Sequence, residues 1–294
     1  MKKFIISLVA ASLLSGSLVY AKTSAEVSKE TVKQAKLDAK DHQVALVKEA
    51  VKSLFLTQKV LVDIDKKDTK QAIKDLEDAI GKLEVILANE KSPKLLPVDS
   101  QVTVVEYLGN LKKVKNDIKT VKTLIDDGKI QEARVLLNTL QSQINILTVS
   151  IPLASYPDAL KLAAKYLHDK NLAEARAVLE TALSTLVEER VVLPLPILKA
   201  EGLIKAASLI AKSDKNQALK HLDQAKEELE IAKTLGYVSK SDTTYKMLDD
   251  AINSVEKEIK GKNKAEKLFE SLLSKIKEFK EKAVKTFDKD NKEK

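Results

Sequence analysis

"HDKNLAEARAVLETAL", residues 168–183, decides the fold. A short polar turn, Asp169-Lys170-Asn171, precedes a helix in which Ala175 and Leu179 stand four residues apart and so share a face. A small side chain there lets this helix approach the one before the turn, and the leucine fills the seam between them. The same signature recurs in "DKKDTKQAIKDLEDA" (65–79), "DDGKIQEARVLLNTL" (126–140) and "KSDKNQALKHLDQAK" (212–226). The anchor pairs are Ala72 with Leu76, Ala133 with Leu137, Ala175 with Leu179, and Ala218 with Leu222. The last three alanines are 42 and 43 residues apart, and the first interval is lengthened to 61 by "NEKSPKLLPVDSQV" (89–102), with Pro93 and Pro97. Short polar turns make antiparallel neighbours. The pattern therefore predicts helical hairpins in series. A lone hairpin leaves its apolar stripe uncovered, so the units are expected to stack as in tetratricopeptide-like arrays.

Between the hairpins lie proline strips, "IPLASYPDALK" (151–161) and "VVLPLPILKAEGLI" (191–204). Pro152 follows the helix of the second signature, where an internal proline costs about 3 kcal/mol, so that helix ends first. Pro157 is preset for a helical first turn, with Asp158 near the positive end of the dipole. Pro194 and Pro196 repeat the arrangement, each strip ending one hairpin and starting the next. Val149, Ile151, Leu153, Val191, Val192, Leu193, Leu195 and Ile197 flank these prolines, and "VTVVEYL" (102–108) is similarly β-branched. Such strips are too apolar for water and are expected side by side, with room for short extended pairing. The fold class is all-α: stacked antiparallel hairpins, tetratricopeptide-like but irregular, with short extended segments at the proline strips.

The chain opens "MKKFIISLVAASLLSGSLVYAKTSAE". Two lysines, an apolar stretch and small residues up to Ala21 read as a secretory leader cleaved after Ala21. Its apolar core is shorter than the roughly 20 residues a spanning helix needs. A periplasmic or otherwise secreted protein is expected. With no cysteine in 294 residues, disulfides, cysteine catalysis and thiolate metal sites are excluded. The net charge of +8 belongs to the ends: Lys2 and Lys3 leave with the leader, and residues 257–294 carry thirteen lysines against eight acids. The body has neither a basic face nor the tryptophans of a stacking platform, which argues against nucleic acid.

Candidate sites are few. His42, His168 and His221 are scattered without ligand spacing, and His168 belongs to a helix C-terminus. "DIDKKD" (63–68) lacks the glycine and terminal glutamate of a calcium loop and reads as a hairpin turn. Glu188 and Glu189, read on a helix, point about 100° apart and do not converge as an acid/base pair. Tyr107 and Tyr156 beside Pro152, Pro194 and Pro196 are the candidate wall of an apolar ligand pocket, against a core reading of the same rings. No cofactor, metal ligand or catalytic set is singled out. "AEKLFESLLSKIKEFKEKAVKTF" (265–287) is a basic amphipathic helix, with Leu268, Leu272, Ile276, Phe279, Ala283 and Phe287 on one stripe. Docking onto its own domain is the expectation, ahead of a membrane surface or a second subunit.

The apolar proline strips, in "LLPVDSQVTVVEYL" and in "TVSIPLASYPDALKLAAKYLHDKNLAEARAVLETALSTLVEERVVLPLPILKAEGLI", together with the leader, resemble the YfdX family of bacterial proteins. The resemblance runs from about Asp41 to Tyr237. It implies an exported helical protein associated with envelope stress, and it carries over no catalytic residue. The expected organisation is a leader (1–21), a flexible or helical segment (22–40), a YfdX-like helical domain (41–240) and a helical extension with a disordered tail (241–294). The expected function is non-catalytic binding of a partner or small molecule in the envelope, with homo-oligomerisation open. The alternative is a chaperone-like scaffold holding peptide segments in an apolar groove.

Overall fold

Each of the four alanine signatures lies on the second helix of an antiparallel pair. The computed structural model describes residues 22–41, 45–89, 92–239, 243–261 and 265–290. Among them are eleven helices and three strands: α1 (Ser24–Asp41), α2 (Lys48–Asp65), α3 (Thr69–Leu87), β1 (Leu95–Val105), α4 (Leu111–Asp126), α5 (Ile130–Thr139), β2 (Gln143–Pro152), α6 (Tyr156–His168), α7 (Leu172–Ser184), β3 (Val187–Pro194), α8 (Leu195–Ile210), α9 (Lys215–Thr234), α10 (Thr243–Lys260) and α11 (Glu266–Asp290). The chain is mostly helical with one small sheet. The leader at 1–21, His42 and the side chain of Phe287 lie outside the described residues.

The hairpins α2–α3, α4–α5 and α6–α7 close through one turn geometry. Lys67, Gly128 and Lys170 take left-handed backbones, with φ of 60°, 73° and 61°. In each turn that residue's N–H donates to the carbonyl three residues back, and the next N–H donates to the carbonyl five back. These two bonds satisfy the last carbonyls of the first helix. The residue that follows, Asp68, Lys129 or Asn171, is already the cap of the second helix. The fourth turn differs: Asp214 caps α9 through the Gln217 N–H at 2.9 Å, without a left-handed residue.

Ala72, Ala133, Ala175 and Ala218 are all buried, as are Leu76, Leu179 and Leu222. Leu137 corrects the pattern, because it is 53% exposed. Helix α5 packs on α4, and its covered stripe is Ala133 with Leu140 and, partly, Leu136. That stripe runs to the side of Leu136 and leaves Leu137, on the other flank of Ala133, in water.

Two compact units divide the chain, and consecutive hairpins fall in different ones. The first comprises residues 1–42, 102–145 and 191–294, the second 43–101 and 146–190. In the second unit α3 packs on α6 and α2 on α7, around a core that includes Leu76, Leu83, Leu96, Ile151, Tyr156 and Leu179. In the first unit α8 packs on α1, α9 and α11, and α4 packs on α9. The hairpins thus pair alternately, first with third and second with fourth, instead of stacking in series.

The apolar strips explain the alternation. They form a three-stranded sheet in the order β1-β2-β3, and each strand carries the chain from one unit into the other. The expected extended pairing is present. Pro152 ends β2, Pro157 lies in the first turn of α6, Pro194 caps α8, and Pro196 lies in its first turn. On β2 the burial alternates, with Ile144, Ile146, Thr148 and Ser150 inside. Glu188 and Glu189 lie on β3 instead of a helix, where successive side chains point to opposite faces.

Helix α11 docks within the first unit. Phe269, Leu272, Ile276, Phe279 and Ala283 join the core of α8, α9 and α10, while Leu268 is half-exposed.

Candidate functional site

Hairpin α4–α5 has a built base and an open outer face. Asn110 caps α4 by accepting the Lys113 N–H at 3.0 Å. Gly109 precedes it where a Cβ would meet the Tyr107 ring at 2.6 Å, so a side chain there would have to displace the ring. The Tyr107 hydroxyl donates to Asp117 at 2.8 Å, and Lys113 Nζ donates to the same carboxylate at 2.7 Å while lying 5.1 Å from the ring centre. The bonds from Lys113 and Tyr107 hold the Asp117 carboxyl below its ordinary range, and burial pushes the Tyr107 hydroxyl up. The hairpin is fastened to α9 where the Leu111 N–H donates to Glu227 at 3.2 Å and Lys115 lies 3.7 Å from Glu230. A shallow depression of about 490 Å³ opens there, lined by Asn110, Leu111, Lys112, Lys115, Asn116 and Glu227.

Beyond this base the hairpin is apolar outward. Leu108, Ile125, Ile130, Val135 and Leu137 are between 48% and 83% exposed. On α5, Ile130 and Leu137 are seven residues apart and form one ridge.

Beneath α9 the first unit buries charge. Lys199 lies 2.8 Å from Glu106 and 4.0 Å from Glu228. Burial pushes the Glu228 carboxyl up to about 7 against the pull of Lys199. Lys280, 2% exposed, donates to Glu201 at 2.7 Å. Ser24 Oγ and His221 Nδ1 share a hydrogen bond at 2.8 Å. A hydroxyl beside an imidazole resembles an activated nucleophile. Here, however, His221 is fully buried, burial lowers its pKa, and Nε2 has no partner. The pair fastens α1 to α9. In the second unit Asp63 and Asp75 are both buried: burial raises Asp63, while Lys59 at 2.6 Å and Gln71 at 2.9 Å hold Asp75 low against its own burial. That asymmetry suits acid/base chemistry, but Lys59 neutralises the ionised member and ties α2 to α3.

The tyrosines read as a pocket wall are core residues of separate units. Tyr156 is fully buried, its hydroxyl pushed up to about 12 by burial, and Tyr107 is 8% exposed in the core shared by α4, α5 and α9. Pro194 and Pro196 are buried, Pro152 half-buried. Tyr237 also has an internal task, accepting the Ser142 N–H and donating to Gln143, each at 2.8 Å. His168, on the last turn of α6, is exposed 3.6 Å from Glu77. No group of three His, Cys, Asp or Glu suited to a metal occurs among the described residues, nor any helix long and apolar enough to cross a membrane. Sequence reasoning missed Lys280, Glu228 and Ser24–His221, whose partners are far away in the chain.

No curated protein matches the sequence. A solved structure of Salmonella Typhi YfdX is similar at 14% identity over 51% of this chain and 93% of that one, with a TM-score of 0.36. The sequence model of the YfdX protein family matches residues 50–192, which span nearly all of α2 and continue to the middle of β3. The match ends short of Tyr237, leaving α1 and α8–α11 outside it. Over residues 50–192 the chain is thus similar to the YfdX family.

Proposed function

We propose that this chain is a non-catalytic, exported, stress-associated protein that binds a partner or an amphiphilic small molecule in the bacterial envelope, and that hairpin α4–α5 is the surface it uses. One observation supports the reading above the rest. The ridge of Ile130 and Leu137 on α5 stands in water, and Val135, Ile125 and Leu108 are exposed elsewhere on the same hairpin. Exposed apolar side chains gathered on one element mark interaction surfaces. Chemically capable groups nearby are engaged internally: Asp117 with Tyr107 and Lys113, and Glu230 with Tyr245 at 2.7 Å. As in helical repeat arrays, paired hairpins hold an outer helix face rigid for a ligand.

The first described helix, α1, starts just past the expected cleavage point. Thr23 and Glu26 form a reciprocal cap, the Thr23 N–H donating to Glu26 at 2.7 Å and the Glu26 N–H to Thr23 at 3.3 Å. That cap begins two residues after the expected cleavage point.

The test is a thermal-shift panel of amphiphilic compounds on the wild type and on Ile130→Ser/Leu137→Ser. Shifts that vanish in the variant support the reading; shifts unchanged in the variant refute the site. Suppression of client aggregation without any shift moves the function to the scaffold alternative.

A further inference from the structure

Helix α1 is electrically neutral in total, yet its charges are segregated. Lys29, Lys33, Lys36 and Lys40 are all exposed. At about 100° per residue they fall within about 60° of arc, in a straight row about 16 Å long. The row stands opposite the face that buries Val27, Thr31, Ala35, Asp38 and Ala39. The helix's acids lie off the row or are engaged: Glu26 caps Thr23, and Asp38, buried, accepts from Gln34 at 2.8 Å. None of the four lysines forms an ion pair among the described residues.

The arrangement works against the helix alone. Lys29 with Lys33, Lys33 with Lys36, and Lys36 with Lys40 are like charges at the spacings where neighbours repel. The row is nonetheless held rigidly. Thr31 sits where a Cβ on Gly202 would lie 2.2 Å from its hydroxyl, so α1 is pressed against α8, and Ser24 is bonded to His221.

We propose that this lysine row is a docking edge for an anionic phospholipid surface. A straight ridge on a rigid helix meets a plane along its whole length, and mobile lipid headgroups adjust to its spacing without a matching partner fold. The row has no aromatic for stacking on bases, and Leu37 is the one large apolar side chain exposed on α1. The contact is therefore electrostatic, shallow and reversible. It is independent of the α4–α5 reading, and either can fail alone.

The test is sedimentation with vesicles of phosphatidylcholine containing about a third phosphatidylglycerol, against pure phosphatidylcholine, at low and high salt. Lys29→Gln/Lys33→Gln/Lys36→Gln/Lys40→Gln is compared with Lys48→Gln/Lys52→Gln/Lys70→Gln/Lys74→Gln, which removes the same charge from the second unit. Binding of the wild type to anionic vesicles that falls at least tenfold in the row variant, persists in the other variant and disappears at high salt supports the proposal. The row variant should also melt close to the wild type, because the four side chains lie on the exposed face of α1. Equal binding by both variants, no binding by the wild type, or capture of soluble polyphosphate or an acidic protein without vesicles overturns it.

Discussion

Replacing Glu228 with glutamine removes a charge that the fold holds at a cost above neutral pH. The carboxyl is 8% exposed, with Lys199 4.0 Å away and already bonded to Glu106 at 2.8 Å. Burial moves its pKa from 4.5 to about 7. Between those values the folded protein holds a proton that the unfolded chain has released, so this group's contribution favours folding most below about pH 4.5 and declines as pH rises to about 7. The shift corresponds to about 3 kcal/mol between the two limits. Glutamine keeps the shape and carries no charge. Urea unfolding of wild type and Glu228→Gln at pH 5 and pH 8 should give similar stabilities at pH 5 and a variant about 2–3 kcal/mol more stable at pH 8. Stability differences that are the same at both pH values would refute the reasoning.

Three further outcomes follow from the packing. Lys67→Gly and Lys170→Gly relieve left-handed backbones and should each raise stability by up to about 1 kcal/mol in urea melts, while Gly128→Ala should lower it by a similar amount. Gly202→Ala drives a methyl into Thr31 and should cost about 1–3 kcal/mol and speed proteolysis within α1, with partial rescue by Thr31→Ala. Lys280→Ala strands the buried Glu201 and should cost about 3–5 kcal/mol, whereas Lys280→Met with Glu201→Leu should recover most of that loss by thermal melting.

Local rules carried the hairpins and stopped at their pairing. Ala72, Ala175 and Ala218 mark seams because small residues at close helix approaches are a short-range signal. The prolines mark element ends for the same reason. Which hairpin packs on which is decided by strands β1 to β3, whose apolar strips were legible but whose passage between units was not. Leu137 looked like its counterparts, and only the course of the covered stripe of α5 through Leu136 leaves it in water. Lys280 reads as one more lysine of a basic helix, and its burial depends on Glu201, 79 residues earlier. His221 finds Ser24 across 197 residues, a distance no spacing rule spans. The site was legible only in part, since exposure on α5 is a tertiary outcome.

The alternating pairing of hairpins underlies both the displayed face of α4–α5 and the rigid seat of α1. The chain contains no cysteine, so engineered pairs report single contacts. Asp65→Cys with Arg176→Cys joins the first and third hairpins, and Lys115→Cys with Glu230→Cys joins the second and fourth, at positions that form ion pairs. A short bismaleimide should link both pairs within monomeric folded protein, seen as a shifted band with native thermal stability. Failure of either pair to link in folded monomer would contradict the account.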